Sequence, residues 1–518
     1  MSKTQPARGM RDFLPADVRK RNYVIGIIKE VYEKYGFEPL ETPSVENLET
    51  LTGKYGEEGS QLMFKILKRG EKLQQELEAG NIKSENELSD LALRYDLTVP
   101  LARVVANYKN DLPKFFKRYQ IQPVWRADRP AKGRYREFYQ CDVDAIGSSS
   151  MIVEAELISA VSEIFEKLGF NDFVVRINHR EVLRAILDTA GVATEKHAEA
   201  LVALDKIDKI GREGVEKELK EKKIANSAEI RLLTFFDFFI RKKSGEVFNE
   251  KEKLQLIKFQ KNLKELEDDI ENSDINLEKL RAENESSWTR LISEIILILM
   301  NEERLTAYNI LVSFLLRSYF EEHISGNESL NKLQEILLYL DTKITSSHIK
   351  IDPSLARGLS YYTGAILEIN VPDFAGSLAG GGRYDGLIGM FGKEQIPAVG
   401  FSIGLERIIY VMEERGMFPE DLTANSADVM ITLWNEESAG ESLKLANELR
   451  AKGLRVLVYP EADKLGKQFK YADSINIPFV CILGENELAE NKVALKNLKT
   501  GEQETVLRNE VTNKIKSS

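Results

Sequence analysis

The sequence predicts an α+β fold, in which an antiparallel sheet is flanked by helices and followed by a helical region and a small α/β region. Two segments of alternating polarity, 119–126 and 136–146, flank a short Pro/Gly/Arg-rich segment, which is typical of an antiparallel hairpin. Between residues 195 and 340, apolar residues recur at helical spacing among many Lys and Glu residues. After residue 427, short apolar runs alternate with helical segments, which indicates an α/β domain.

Composition limits the classes of protein to which the chain can belong. Its 518 residues leave room for two or three domains. A formal net charge of -11 argues against a basic nucleic-acid coat but leaves room for a local basic groove. Two cysteines far apart in sequence, Cys141 and Cys481, indicate a reducing compartment, and we expect a cytoplasmic location. The polar amino terminus and the short apolar runs predict no signal peptide and no membrane partner.

The first hundred residues predict a helix followed by extended segments. Apolar positions at helical spacing in the helix are Tyr23, Ile27, Val31 and Tyr35. Pro43 lies in an extended run, where proline favours an edge or interface strand. The polar segment 71–90 is interpreted as a solvated connection. It precedes a compact element at 93–100.

The segment 117–147 carries the densest set of functional side chains. Its predicted hairpin has a basic tip at 128–135. On the second strand, alternation places Phe138, Gln140, Asp142 and Asp144 on one face. This pattern favours a binding surface on the sheet, and the alternative is a solvent-facing hairpin with one polar side.

The middle of the chain continues with a helix at 154–168, a strand at 173–177 and a helical insertion. Charge runs in the insertion indicate solvated helix faces rather than a binding surface. Segment 398–412 then predicts a strand that leads into a helix, with Arg407 near the helix start.

Two glycine-flanked segments, 355–364 and 379–386, predict a pocket. The first contains Arg357 followed by Tyr361 and Tyr362, whose polar groups need partners if they are buried. In the second, three consecutive glycines let the backbone approach a ligand closely, and Arg383 follows them. We expect a pocket for an anionic, planar ligand, and the alternative for the first segment is an exposed turn covered by aromatic side chains.

Together these motifs resemble the histidyl-tRNA synthetases, a family of class II aminoacyl-tRNA synthetases, over essentially the whole chain. Pro43 is similar to the first class II motif, 125–140 to the second and 404–407 to the third. The segment 357–362 reads Arg-Gly-Leu-Ser-Tyr-Tyr. Together with 94–98, it resembles the histidine-specific segments, which are the most specific part of the match.

This resemblance implies a division of the chain into four parts. A class II synthetase-type antiparallel sheet would form the catalytic domain from 1–190 and 346–421. A helical insertion would occupy 191–345, and an anticodon-binding α/β domain would occupy 422–518.

The resemblance also implies ATP-dependent activation of L-histidine to histidyl-adenylate and transfer to tRNA(His) by a homodimer. Such activation gathers negative charge around the α-phosphorus of ATP, which fixed guanidinium groups stabilise well. Mg2+ would bridge the phosphates, held by them and by water rather than by a dedicated protein site.

Individual roles follow from the same resemblance. The catalytic arginines would be Arg126 and Arg357, at the α-phosphate and the carboxylate. The ATP site would comprise Arg126, Asp128, Phe138 and Arg407, with Phe138 stacked on adenine and Arg407 at the outer phosphates. The histidine site would comprise Asp96, Leu97, Thr98, Gln140, Asp144, Tyr361, Tyr362 and Tyr384. The tRNA would contact Arg134, Lys464, Lys467 and Lys470.

The main alternative is a non-catalytic histidine-binding paralogue that regulates histidine biosynthesis. Such paralogues usually lack the carboxy-terminal domain and lose catalytic arginines, whereas Arg126, Arg357 and Arg407 are all present here. A phosphate-binding loop ending in Gly-Lys-Ser or Gly-Lys-Thr does not occur in the sequence. The chain departs from the family at Ser360, often acidic, and at Ala131, often polar in bacterial members, so no contacts are assigned there.

Overall fold

The computed structural model of the chain contains two compact units. The first comprises Met1–Asp12 and Tyr23–Arg415, and the second comprises Phe13–Asn22 and Gly416–Ser518. Besides scattered positions between 228 and 320, the residues that the structure describes are 4–52, 61–80, 82, 84–204, 206–225, 323–340, 348–356, 362–392, 394–419, 422 and 427–517.

The strands are β1 (Glu38–Pro39), β2 (Val45–Asn47), β3 (Lys65–Leu67), β4 (Ser89–Leu93), β5 (Phe116–Trp125), β6 (Glu137–Ile146), β7 (Val174–His179), β8 (Ile349–Ile351), β9 (Ala365–Asn370), β10 (Ala379–Arg383), β11 (Ala398–Gly404), β12 (Val429–Ile431), β13 (Val456–Val458), β14 (Phe479–Ile482), β15 (Lys492–Asn497) and β16 (Gln503–Leu507). The helices are α1 (Pro15–Lys34), α2 (Leu48–Leu51), α3 (Glu71–Ala79), α4 (Thr98–Asn107), α5 (Ile152–Lys167), α6 (Arg180–Ala190), α7 (His197–Leu204), α8 (Ile207–Glu221), α9 (Ile324–Tyr339), α10 (Leu405–Glu414), α11 (Ala439–Ala451), α12 (Leu465–Ser474), α13 (Glu485–Ala489) and α14 (Val511–Ser517).

The first unit is built on an eight-stranded sheet, counted over the described residues, in the order β1-β5-β6-β11-β10-β9-β7-β8. Its central strands are antiparallel, whereas β1 and β8 join the two edges in parallel. The hairpin predicted from alternation is confirmed as β5 and β6. The strand predicted to lead into a helix is also confirmed, as β11 and α10.

Alternation along β6 separates a buried apolar face from a polar face. Cys141 and Val143 are fully buried, and the Tyr32 hydroxyl of α1 donates a hydrogen bond to the Cys141 carbonyl at 3.3 Å. Helix α10 packs on β6, where the buried Glu406 accepts the Tyr139 backbone N–H at 3.0 and 3.2 Å. These contacts hold β6 in place and leave its other face for the polar residues.

Two predicted elements differ in the structure. The polar segment 71–90 is not only a connection, because it contains α3, a helix without a buried residue. Pro43 is not in a strand but in the stretch between β1 and β2. Its carbonyl accepts a hydrogen bond from the Arg94 side chain at 3.2 Å. This side-chain contact, rather than backbone hydrogen bonds between strands, holds Pro43 in place.

The predicted helical insertion falls largely outside the described residues. Its described parts include α7, α8 and α9, and α9 packs against α6 and β7. Among the residues with a described position, no helix combines the length and the apolar composition needed to cross a membrane.

The second unit has the predicted α/β pattern. Its sheet, in the described part of the chain, runs β13-β12-β14-β15-β16, with the first three strands parallel and the last two pairings antiparallel. Buried apolar side chains such as Val429 and Val480 contribute to two core clusters. The predicted helices at 439–451 and 464–474 correspond to α11 and α12.

Candidate active site

A row of polar and aromatic side chains runs along one face of β6. Phe138, Gln140, Asp142 and Asp144 alternate with residues of the apolar face. The ladder with β5 places Arg118 opposite Asp144, and the ladder with β11 places Gly400 opposite the same residue. The central strands therefore gather charged groups at one end of the row.

Asp144 is held by two neighbours in the interior. One carboxylate oxygen accepts a hydrogen bond from the Tyr384 hydroxyl at 2.5 Å, and the other lies 2.7 Å from a terminal nitrogen of Arg118. Burial raises the pKa of Asp144, and Arg118 partly offsets this effect. The pKa of the Tyr384 hydroxyl is raised well above its usual value, mainly by burial, so it remains a neutral donor.

Asp142 and Gln140 each keep an oxygen without a hydrogen-bond partner in the described structure. The Gln140 amide donates to the Ser402 hydroxyl at 3.1 Å, and Ser402 also bonds to the Asp142 carboxyl group. Burial raises the pKa of Asp142 to about 7, with Arg118 acting in the opposite direction and Asp144 adding to the increase. Two acceptor atoms are thus available to a ligand with N–H donors.

Glycines make room for these close contacts. A Cβ atom added to Gly400 would lie 1.9 Å from a carboxylate oxygen of Asp144. A Cβ atom at Gly382 would lie 2.5 Å from the Ala365 carbonyl and 3.0 Å from the Tyr362 ring. The consecutive glycines allow close approach between neighbouring strands and side chains, and their approach to a ligand stays a prediction.

The turn before α4 closes one side of the row. The Asp96 carboxylate accepts the backbone N–H groups of Thr98 at 3.1 Å and Val99 at 3.0 Å, which fixes the start of the helix. The buried Leu97 turns its carbonyl toward Arg118, which donates to it at 3.3 Å. Of the predicted histidine-site residues, Asp96, Leu97, Gln140, Asp144 and Tyr384 are therefore linked through Arg118 and β6.

Arg126 lies beside the aromatic end of the row. Its Nε donates to the Tyr95 carbonyl at 2.9 Å. Its guanidinium carbon lies 4.3 Å from the centre of the Tyr95 ring and 5.3 Å from that of Phe138. These contacts orient a permanently charged group while its terminal nitrogens make no hydrogen bond to a described residue, which suits an anionic ligand.

The hairpin tip lies against the start of α10. Asp128 pairs with the half-exposed Arg134 at 2.8 Å. A Cβ atom at Gly133, whose φ is +64°, would lie 3.5 Å from the Cα of Arg407. Arg407 in turn donates to the Ser377 carbonyl at 2.6 Å. The structure therefore brings the predicted ATP-site residues Asp128 and Arg407 to the same loop.

Arg383 is paired with a carboxylate inside the fold. Its guanidinium forms two hydrogen bonds with the buried Glu154 carboxylate, at 2.6 and 2.7 Å, and one with the Ser148 carbonyl at 3.0 Å. It also bonds to Asp385 at 3.2 Å. The carboxylate of α5 balances the charge of Arg383, and a contact of this residue with an anionic ligand stays a prediction.

Two predicted site residues, Arg357 and Tyr361, lie outside the described residues, and so does Ser360, to which no contact is assigned. Tyr362 is described, and it packs against the apolar cluster that includes Tyr384. Across the described chain, no group of three or more His, Cys, Asp or Glu side chains is arranged to hold a metal ion.

The predicted tRNA-contacting lysines lie in the second unit. Lys464 precedes α12, Lys467 and Lys470 lie within it, and all three are exposed. Lys467 pairs with Asp463 at 2.7 Å, and this contact raises the pKa of its ammonium group. The helix therefore presents a short basic surface.

Comparison with protein families matches both units. The family model described as Histidyl-tRNA synthetase matches residues 9–283 and 309–408. The chain belongs to the histidyl-tRNA synthetase family. A second model, described as Anticodon binding domain, matches residues 428–518.

Whole proteins agree with this family assignment. The histidine--tRNA ligase of Cytophaga hutchinsonii is 39% identical, with 99% of this chain and 100% of the relative covered. The histidine--tRNA ligase of Porphyromonas gingivalis is 40% identical, with 97% of each chain covered. A crystal structure of histidyl-tRNA synthetase from a Nostoc species has a TM-score of 0.71 at 28% identity and covers both chains completely. The class II synthetase-type fold predicted from the sequence is confirmed.

Sequence reasoning left two residues of this site without a role. Arg118 lies at the centre of the carboxylate cluster, and Asp142 offers an unpartnered buried oxygen. Asp142 shares the strand face with Gln140 and Asp144, so alternation contained the signal for it. Arg118 gave no such signal, because its position opposite Asp144 depends on the register between β5 and β6.

Proposed function

We propose that the chain activates L-histidine with ATP and transfers the histidyl group to tRNA(His). The observation that carries this proposal is the row along β6, which joins a buried site for an ammonium group to an arginine beside aromatic rings. Gln140 and Asp144 supply acceptors at one end, and Arg126 and Phe138 lie at the other. An amino acid and a nucleotide placed along one strand face meet at their carboxylate and phosphate groups.

In the proposed first step, a carboxylate oxygen of histidine attacks the α-phosphorus of ATP, and pyrophosphate leaves with the electrons of the broken P–O bond. Arg126 stabilises the charge that develops on the phosphate oxygens, since its orientation is already set by Tyr95. Arg357 is assigned to the same reaction through family resemblance. Arg407 and Asp128 belong to the ATP site beside the hairpin loop.

Mg2+ fits this site as a companion of ATP. Phosphate oxygens and water would supply most of its coordination. The ion would neutralise phosphate charge while the arginines orient the α-phosphate.

In the second step, a hydroxyl of the terminal ribose of tRNA attacks the carbonyl carbon of the adenylate, and AMP leaves. This transfer needs no nucleophile from the protein.

We assign residues 1–190 and 346–421 to the catalytic domain, 191–345 to the helical insertion and 422–518 to the anticodon-binding domain. The match of 428–518 to an anticodon-binding family supports the last assignment. Arg134 and the lysines of α12 are the proposed tRNA contacts, and the working form is a cytoplasmic homodimer.

A histidine-binding regulator would bind the ammonium group of histidine but would not form the adenylate or transfer histidine to tRNA. The presence of Arg126 beside Tyr95 and the carboxy-terminal match favour the enzyme. The test is to incubate the protein with ATP and labelled histidine, isolate the complex and then add tRNA(His). We expect protein-bound adenylate followed by labelled tRNA, whereas a regulator would retain histidine and form neither product.

A further inference from the structure

We propose that Asp142 is a further contact for the α-ammonium group of the histidine substrate, and that its carboxyl group gives up a proton when the substrate binds. The inference rests on the proposed function, since it takes histidine as the substrate. No role was assigned to Asp142 by family resemblance.

The first argument is the availability of acceptor atoms. One oxygen of Asp144 accepts from the Tyr384 hydroxyl, and the other forms an ion pair with Arg118 but has no hydrogen-bond partner in the described structure. Asp142 is 2% exposed and one of its oxygens has no hydrogen-bond partner in the described structure. Gln140, two residues away on the same strand face, has an unpartnered amide oxygen. An ammonium group has three donors and would satisfy both atoms.

The second argument is charge. Asp142 faces Asp144 on β6, Asp96 before α4 and Arg118 on β5, so three carboxyl groups surround one guanidinium. Arg94 adds a second positive charge near Asp142, and its guanidinium is held by the Thr42, Pro43 and Pro123 carbonyls and the Gln122 side chain. The carboxyl groups still outnumber the guanidinium groups among these described residues.

Three other described groups that interact with Asp142 are neutral. They are the Ser402 hydroxyl of β11, the Tyr384 phenol and the Tyr32 phenol of α1. Burying unbalanced negative charge is costly, so the empty site favours a proton on a carboxyl group.

The sign of the pH dependence follows from this balance. The ionised carboxylate attracts the ammonium group, whereas the protonated form does not. Because burial raises the pKa of Asp142 to about 7, raising the pH through neutrality increases the ionised fraction and strengthens histidine binding. The bound ammonium group lowers the same pKa, and the proton leaves to solvent.

The direct test is proton release on binding. Histidine is titrated into the wild-type protein near pH 7, in two buffers that differ in heat of ionisation, so that calorimetry gives the number of protons released. We expect about half a proton per site more from the wild type than from Asp142→Asn. Glu156→Gln, which removes a carboxylate from α5, should match the wild type. Absence of release from the wild type, or equal release from Asp142→Asn, would overturn the proposal.

Kinetics provide the second test. In Asp142→Asn, KM for histidine should rise by about tenfold or more, because a charged hydrogen bond is lost, while KM for ATP stays near that of the wild type. In the wild type, KM for histidine should fall between about pH 6 and pH 8 by about tenfold more than in the variant. The substrate imidazole titrates in both proteins, so the difference reports on the enzyme.

Identical pH profiles in the two proteins would contradict the role of Asp142. Histidine-dependent exchange by the wild type tests the proposed function separately. If Asp142→Asn does not fold, Asp142→Ser takes its place in the calorimetric comparison, and a wild type that releases no protons still overturns the proposal.

Discussion

Arg126 and the carboxyl groups of the β6 face show how single residues are oriented for a ligand. Arg126 uses Nε for the Tyr95 carbonyl, and Asp142 and Gln140 keep one oxygen each without a partner. Orientation of this kind is set before substrate binds, so little reorganisation is needed during the reaction. The buried pair of Arg383 and Glu154 is a contrasting case, because the guanidinium and the carboxylate bond to each other and so connect β10 to α5.

Replacing Arg126 with alanine should reduce histidine-dependent ATP–pyrophosphate exchange by about a hundredfold or more, because one donor to the developing phosphate charge is lost. The fold should persist, since the side chain is only partly buried. Arg184→Ala, which removes an exposed arginine from α6, is the matched control. Exchange near the wild-type rate in Arg126→Ala would remove this residue from the catalytic role.

Gly400→Ala should weaken histidine binding. The added Cβ atom would lie 1.9 Å from a carboxylate oxygen of Asp144, so that carboxylate must move away from Tyr384 and Arg118. We expect a rise in KM for histidine and a lower melting temperature. Gly26→Ala serves as control, since its Cβ atom would meet nothing within 4 Å. If the two variants behave alike, the close approach at Gly400 has no bearing on the site.

The helices and strands differ in how well the local sequence predicts them. Strand β6 was predictable, because alternation between Cys141 or Val143 and the polar residues is a strong local signal. Helix α3 was not, since it buries no residue and so has no apolar stripe. The pairing of Arg383 with Glu154 spans 229 positions, and no local pattern contains it.

Helix α12 carries an electrostatic prediction. Replacing Lys464, Lys467 and Lys470 together with alanine should flatten the salt dependence of tRNA(His) affinity by up to about three units of logarithmic slope. Lys467 contributes least if it stays paired with Asp463. Histidine activation should be unaffected.

A control replaces Lys444, Lys492 and Lys514, which are also exposed lysines of the second unit. The same loss of slope in the control would show that general positive charge, rather than this helix, attracts tRNA. An unchanged slope in the α12 variant would place the tRNA contact elsewhere.

At the scale of the whole molecule, two units with separate cores share one chain. The carbonyl and amide contacts that define the candidate site all lie in the first unit, whereas the anticodon-binding match lies in the second. The long segment of the second unit begins at Gly416, and the unit also includes Phe13–Asn22, a grouping that no local sequence signal indicated.

Removing the residues after Leu422 should therefore spare adenylate formation and weaken the charging of tRNA(His). Exchange and aminoacylation are measured on the truncated and the whole chain, with thermal unfolding to verify that the first unit is folded. Equal charging by both chains would show that the carboxy-terminal region does not anchor the tRNA.

The central claim is that the β6 face selects histidine for activation by ATP. ATP–pyrophosphate exchange measured with each of the twenty amino acids in turn tests it most directly. The account predicts exchange with histidine and with no other amino acid. Exchange supported by a different amino acid, or no exchange with histidine, would contradict it.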